Sequence, residues 1–160
     1  MPVTDVRHDL DQRTLTITAD FAAPVDRLWQ VYADPRQLER IWGPPECPAT
    51  FVKHELTPGG VMHYFMTDQS GQRYHGYWRI TEVDQPRSFS FVDGFANEDF
   101  SADENLPESS NTFTFTEHDG GTQLVAVSSY QTAEALQQVL EMGVVEGASA
   151  AVNQIDALVA

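Results

Sequence analysis

Residues 117–147 read EHDGGTQLVAVSSYQTAEALQQVLEMGVVEG, and the change of hydrophobic period within them decides the fold. Asp119, Gly120 and Gly121 supply the chemistry of a tight reversal, and the run from 122 to 130 reads as a strand leaving it. Thr132 then stands where a helix N-cap belongs, ahead of Leu136, Val139, Leu140 and Val144 at three- and four-residue spacing. Ala151, Ile155 and Leu158 continue the stripe, which predicts one long helix to the end of the chain. Strands that feed such a helix imply a sheet covered on one face, an α+β arrangement.

Upstream, further strands are predicted at 49–56, 61–67, 73–83, 88–93 and 111–117, separated by the turn sequences TPGG, DQSG and DQP. Before them, Leu15, Ile17, Ala19 and Phe21 alternate with polar residues in RTLTITADF, a half-buried strand. Pro24 opens a helix whose apolar face is Val25, Leu28, Trp29 and Tyr32. A second short helix follows: Asp34 is its N-cap, Pro35 its first residue and Gln37 lies at capping-box spacing. Gly43 ends it just after Trp42, and Pro44 and Pro45 prevent its resumption. Residues 1–12 read as a polar lead, and 1–160 as a single domain without repeats or linker.

Composition narrows the function. The 160 residues allow one real core. No run of about 18 apolar residues spans a bilayer, and the first residues lack the basic head and apolar run of a signal peptide, so a cytoplasmic protein is expected. Cys47 is the single cysteine, which excludes an internal disulfide and a cysteine-rich metal site. The formal charge is −15; every Lys and Arg lies at or before Arg87, while residues 88–160 carry acids and no Lys or Arg. Such a surface repels phosphate, so neither nucleic acid nor anionic membrane is an expected partner. There is no phosphate loop and no HExxH, and the five histidines stand singly, so neither a cofactor nor a metal is expected.

TPGGVMHYFM (57–66), EVDQPRSFSFVDGF (82–95) and above all residues 117–147 resemble the AHSA-type family of the START-like (SRPBCC) superfamily, named for homology to an activator of the heat-shock chaperone ATPase. The likeness covers roughly 13–160. It implies the helix-grip fold: a curved antiparallel sheet wrapped around a long C-terminal helix, with two short helices after the first strand. It further implies a cavity between sheet and helix. Trp42 is then either a wall of that cavity or a plug in the core.

The strand parity that the resemblance favours turns Met62, Tyr64 and Met66 inward. Phe89, Phe91 and Asp93 share a face, as does Phe113 with Phe115; Trp78 and Tyr130 complete the expected ligand lining. The register after Tyr64 is open. If DQSG is a four-residue loop, Tyr64 lies opposite His75, with Arg73, Tyr77 and Arg79 on that face; a one-residue bulge turns Tyr74, Trp78 and Ile80 inward instead. On the last helix, Gly143, Gly147 and Ala151 fall in one row, which signals either close helix–sheet contact or volume left for a ligand. Ala148 leaves this face small.

These features imply a protein, monomer or homodimer, that encloses a small, largely apolar or aromatic molecule. The enzyme alternative is a cyclase- or hydrolase-like activity with His75, Tyr64 and Asp93 as its polar groups. A third reading, stimulation of a chaperone ATPase, fits less well, because the cochaperones of the family carry a further N-terminal domain. Finally, GFANEDFSADENLPESS (94–110) is long and acidic, yet carries Phe95, Phe100 and Leu106. Self-repulsion predicts an extended, mobile segment, and the three apolar residues predict a lid that docks over the pocket mouth near Trp42.

Overall fold

A computed structural model describes residues 2–160. Eight strands form one antiparallel sheet: β1 (Val3–Asp9), β2 (Thr14–Phe21), β3 (Ala49–Lys53), β4 (Val61–Thr67), β5 (Arg73–Asp84), β6 (Ser88–Phe95), β7 (Ser109–His118) and β8 (Gly121–Tyr130). Their spatial order is β1-β2-β8-β7-β6-β5-β4-β3. Helices α1 (Val25–Ala33) and α2 (Pro35–Ile41) follow β2, and α3 (Ala133–Glu141), α4 (Val144–Asn153) and α5 (Ile155–Val159) close the chain. This is the helix-grip architecture that the family resemblance implies, within the α+β class that the hydrophobic periods imply.

Both helix starts form as the sequence dictates. The Asp34 carboxylate accepts from the Arg36 amide at 2.9 Å and from the Gln37 side chain at 3.0 Å, and the Thr132 hydroxyl accepts from the Ala135 amide at 3.0 Å. Two expectations fail. The polar lead is an edge strand: β1 pairs with β2 from Val3 to Asp9, and its polarity suits a strand with one edge and much of its surface in water. The single C-terminal helix is broken, because Gly143 adopts φ 86°, a left-handed conformation that caps α3 and restarts the chain as α4. Gly143 therefore leaves the glycine row, and its residue type answers to backbone geometry rather than to a ligand.

Thr67 pairs with Arg73, so the β4–β5 loop spans residues 68–72 and the bulged register is the one realised. Tyr64 faces Gly76, while His75 pairs with Phe65 on the opposite face. The inner face thus presents Met62, Tyr64, Trp78, Ile80, Phe89, Phe91, Phe113 and Phe115, all buried against the helices. A second, smaller cluster joins Leu15 and Tyr130 to Leu136 and Val139 of α3. No helix of the described residues is long and apolar enough to cross a membrane.

Candidate functional site

Along β6 and β7 the inner face changes character. Phe89, Phe113 and Phe115 pack on Trp29 and Tyr32 of α1 at centroid separations of 5.5–6.1 Å and form the deep end. Two residues beyond Phe91 and Phe113, the same parity delivers Asp93, Asn111 and Ser109, and β8 adds Ser128 and Tyr130 opposite them. The groove therefore has an aromatic end and a polar end.

The polar end is a connected network. The Tyr64 hydroxyl donates to Asp93 Oδ1 at 3.0 Å. Asn111 Nδ2 donates to the Ser109 carbonyl and hydroxyl, and the Ser128 hydroxyl donates to Asn111 Oδ1 at 2.6 Å. No cation pairs with Asp93 among the described residues. Burial consequently pushes its carboxyl up to about 7, against the opposing pull of the Tyr64 hydrogen bond. Burial, and then the Asp93 charge, raise Tyr64 well above the usual phenol range and Tyr130 to about 12. Asp93 is walled in by protein yet only half-buried by solvent contact, the signature of a group that lines a crevice rather than one packed solid.

Trp42 roofs this end. Its ring meets Trp78 edge to face at 4.8 Å and lies 6.2 Å from Tyr64 and 6.5 Å from Phe113. The Gly-Pro-Pro corner holds it: Gly43 sits at φ 93° against the Cys47 carbonyl, and Gln154 Nε2 donates to the Gly43 carbonyl at 2.7 Å. The Trp42 N–H lies near enough to the Tyr64 oxygen to favour phenolate, which makes Tyr64 its neighbouring acceptor, although the contact falls short of a full hydrogen bond. The buried indole N–H groups of Trp42 and Trp78 and the Ser149 hydroxyl all lack partners. Buried polar groups left so are rare and call for an explanation.

The expected residues sort accordingly. Trp42, Tyr64, Trp78, Phe91 and Phe113 come together, with Met62 beneath and Met66 half-buried at the edge. Phe89 is fully buried, as are Trp78 and Met62. Gly147 shares the α4 face of Ala151, and a Cβ added to it would meet no atom within 4 Å, so close helix–sheet contact does not explain it. The trio of His75, Tyr64 and Asp93 breaks up, because His75 points away, against Phe65 and Phe100. The lid also fails at Phe100, which stacks on His63 at 4.6 Å on the outer face, remote from Trp42. Phe95 and Leu106 are half-buried. The connecting segment is folded rather than extended: Ala96 bridges Ala102, and the Asp99 carboxylate holds the Ser101 amide and hydroxyl. The polar row of Ser109, Asn111 and Ser128 escapes a search for aromatic parity, although extending the Phe113 parity back along SSNTF finds it.

Two clefts open on the surface. One of about 480 Å³ lies between Trp29 and Pro86; another of about 450 Å³ lies between Pro45 and the α4 residues Glu146, Ser149 and Asn153, beside the Trp42 corner. The second is lined by Ser149, one of the three residues with an unpaired buried group.

The family described as Activator of Hsp90 ATPase homolog 1-like protein matches residues 22–160. The crystal structure of protein Ms6760 from Mycobacterium smegmatis is 67% identical, with 99% of this chain and 98% of that one covered and a TM-score of 0.93. A protein from Arthrobacter aurescens, solved by NMR, is 38% identical over 98% of this chain and 91% of its own, with a TM-score of 0.94. One from Staphylococcus epidermidis, at 24% identity, 98% and 93% coverage and a TM-score of 0.83, shares the fold. No curated protein matches significantly.

Proposed function

The chain belongs to the family of Activator of Hsp90 ATPase homolog 1-like proteins, and on that premise we propose that it is a small-molecule-binding protein whose ligand lies at the polar end of the groove, under Trp42 and α4. The observation that carries the reading is the Asp93 carboxyl, held by the Tyr64 hydroxyl on one oxygen with no cation beside it, next to the buried, unpaired Trp78 N–H. A few convergent polar groups set in an aromatic wall are what ligand pockets consist of. The open space at Gly147 supplies volume, and the cleft between Pro45 and α4 supplies the approach. The body of the ligand is apolar or aromatic, to match Tyr64, Trp78 and Phe113.

Gly147→Leu tests this. It should fold normally, since nothing stands in the way of the new side chain, and should lose binding of an apolar fluorescent probe by filling its volume. Probe binding equal to wild type in a folded Gly147→Leu protein would refute the site.

An acid–base enzyme is the second reading, favoured by Asp93 titrating near neutrality in contact with Tyr64. It proceeds without His75. Turnover of aromatic esters or lactones that disappears in Asp93→Asn, with binding retained, would establish it over simple binding.

A further inference from the structure

We propose that the cleft between α1 and the β5–β6 turn, lined by Asp26, Trp29, Gln30, Gln85 and Pro86, binds a carbohydrate, a neutral ring that carries neighbouring hydroxyl groups. The cleft shares no residue with the site under Trp42 and does not depend on it. Asp26, Trp29 and Gln30 stand three and four residues apart, so α1 turns them to one side. The turn after Asp84 brings Gln85 and Pro86 opposite them. Trp29 is the anchor: its ring packs edge to face on Phe89 and Phe115 at 5.8 and 6.1 Å and is only 3% exposed. Its N–H donates to no described residue, yet, unlike those of Trp42 and Trp78, it is not sealed from solvent. The cleft is where it opens. The side chains of Asp26, Gln30 and Gln85 are exposed and likewise form no hydrogen bond with the described residues.

The groups present select the ligand class. A carboxylate only accepts, an indole N–H only donates, and the two primary amides do both. Hydroxyl groups also do both, so a ring that carries several of them can donate to Asp26, accept from Trp29 and pair with either amide. The Pro86 ring, half-buried, offers its C–H groups to the apolar face of such a molecule. An anion would meet the Asp26 carboxylate in a chain of net charge −15, and the cation nearest in sequence, Arg87, is already held by both oxygens of Asp84. A cation would pair with Asp26 but face the positive edge of the Trp29 ring rather than its π-cloud, which is packed inside. A purely apolar molecule would strip water from a carboxylate and two amides and give nothing back. At about 480 Å³ the cleft falls within the range of about 300–1,000 Å³ usual for small-molecule sites.

Compounds built on one ring size separate these classes: methyl glucoside and myo-inositol against cyclohexanol, cyclohexylammonium and cyclohexanecarboxylate, each titrated into the protein and followed by the three indole N–H resonances in nitrogen-edited NMR spectra. A cleft this open to water should hold a monosaccharide with a dissociation constant of about 1 mM. At least one of the two polyols should shift Trp29 while Trp42 and Trp78 stay still, and should bind about tenfold more tightly than cyclohexanol, the worth of one further hydrogen bond. Asp26→Ala removes an exposed side chain without a partner, so it should fold normally and weaken polyol binding about tenfold. Gln85→Ala, on the opposite wall, serves as the second variant and should weaken it in the same direction. Three results would overturn the proposal: a Trp29 resonance that neither polyol moves at about 100 mM, far above the expected constant; tighter binding of either charged ring than of the polyols; or polyol binding unchanged in both variants. Each of these leaves the site under Trp42 as it stands, because that site is tested through Gly147.

Discussion

Two tyrosine–carboxyl pairs lie on opposite faces of the sheet, and they differ in what surrounds them. On the inner face Tyr64 donates to Asp93; on the outer face Tyr77 donates to Glu108. Each tyrosine ring lies over a glycine of the next strand, Gly76 for Tyr64 and Gly94 for Tyr77. Yet burial drives Asp93 up to about 7, whereas the Tyr77 hydrogen bond, helped by Arg79 at 3.0 Å, holds Glu108 below the usual carboxylate range. The outer carboxyl is the more open to water and has a guanidinium beside it; the inner is half-buried and has no cation. The same pairing of side chains is thus a structural tie in one place and a chemical handle in the other.

The largest expected effect comes from the two glycines. A methyl at Gly76 or at Gly94 would overlap the facing phenol ring. Tyr64 is boxed in by Phe51, stacked at 5.1 Å, and by Trp42, so it has nowhere to move. Gly76→Ala should cost about 3 kcal/mol or more, as severe overpacking does. Tyr77 is equally buried but ends at the flexible, part-exposed Glu108 and Arg79 side chains, which can give way, so Gly94→Ala should cost about 1–2 kcal/mol. Equal losses in chemical denaturation would deny the inner pair its confinement.

Asp93→Asn against Glu108→Gln comes next. Native Asp93 keeps its proton to about pH 7, while the unfolded chain releases it near 3.8. Between those values the native state binds more protons, so the Asp93 contribution to stability falls as pH rises and levels off above 7. The fall is on the order of 2–4 kcal/mol. An amide in place of the carboxyl cannot ionise and can still accept from Tyr64, so Asp93→Asn should melt higher than wild type in alkaline buffer and lose this slope. Glu108 has the opposite sign: its contribution is present above its ordinary value and is lost as pH falls through the lowered native one. At 39% side-chain exposure that contribution is small. A melting profile whose slope between about pH 4 and pH 7 is the same in wild type and Asp93→Asn would contradict the assignment of the inner pair.

The contrast between the faces was only partly legible in the sequence. Parity within β6 placed Phe89, Phe91 and Asp93 on one face, because alternation survives any choice of loop, and the family resemblance turned Tyr64 inward. The register of β5 did not follow from it. Asp68 accepts from the Ser70 and Gln72 amides, and so stabilises a loop one residue longer than DQSG suggests. That one step sends His75 outward and Trp78 inward, and with it goes the expected catalytic trio. The helix break at Gly143 was hidden for a related reason: MGVVEG has a helical period whichever backbone conformation its first glycine takes. The lid failed because apolar residues in an acidic loop require a surface to pack on, and sequence does not say which face offers it.

That surface is the outer one, where the ring planes of Phe100 and His63 lie 3° from parallel, with His75 edge-on at 5.3 Å. Phe100→Ala should cost about 1 kcal/mol, the value of an aromatic pair beyond its area. Burial first, and then Lys53, hold His63 below its ordinary value. Removing the covering ring should raise its NMR titration midpoint, and hydrogen exchange should quicken across residues 96–106. Release of the bound probe should not change. Faster release from Phe100→Ala would reconnect this loop to the inner site and blur the distinction between the two faces.

Arg79→Gln gives the smallest effect and the sharpest distinction, since the outer pair differs from the inner in both water and charge. Arg79 and Glu108 are 51% and 39% exposed, so their ion pair should be worth about 0–1 kcal/mol. Its loss leaves the Tyr77 hydrogen bond, the larger cause of the lowered Glu108 value, in place. Glu108, followed by NMR titration, should therefore rise but stay at or below the ordinary carboxylate range. That outcome makes water access the difference between the pairs, and implies that Asp93 would return toward ordinary values if α4 were loosened and its crevice flooded. If Glu108 in Arg79→Gln instead climbed toward the value of Asp93, the guanidinium would be the difference. In that case a cation placed beside Asp93, rather than hydration, would silence the inner handle.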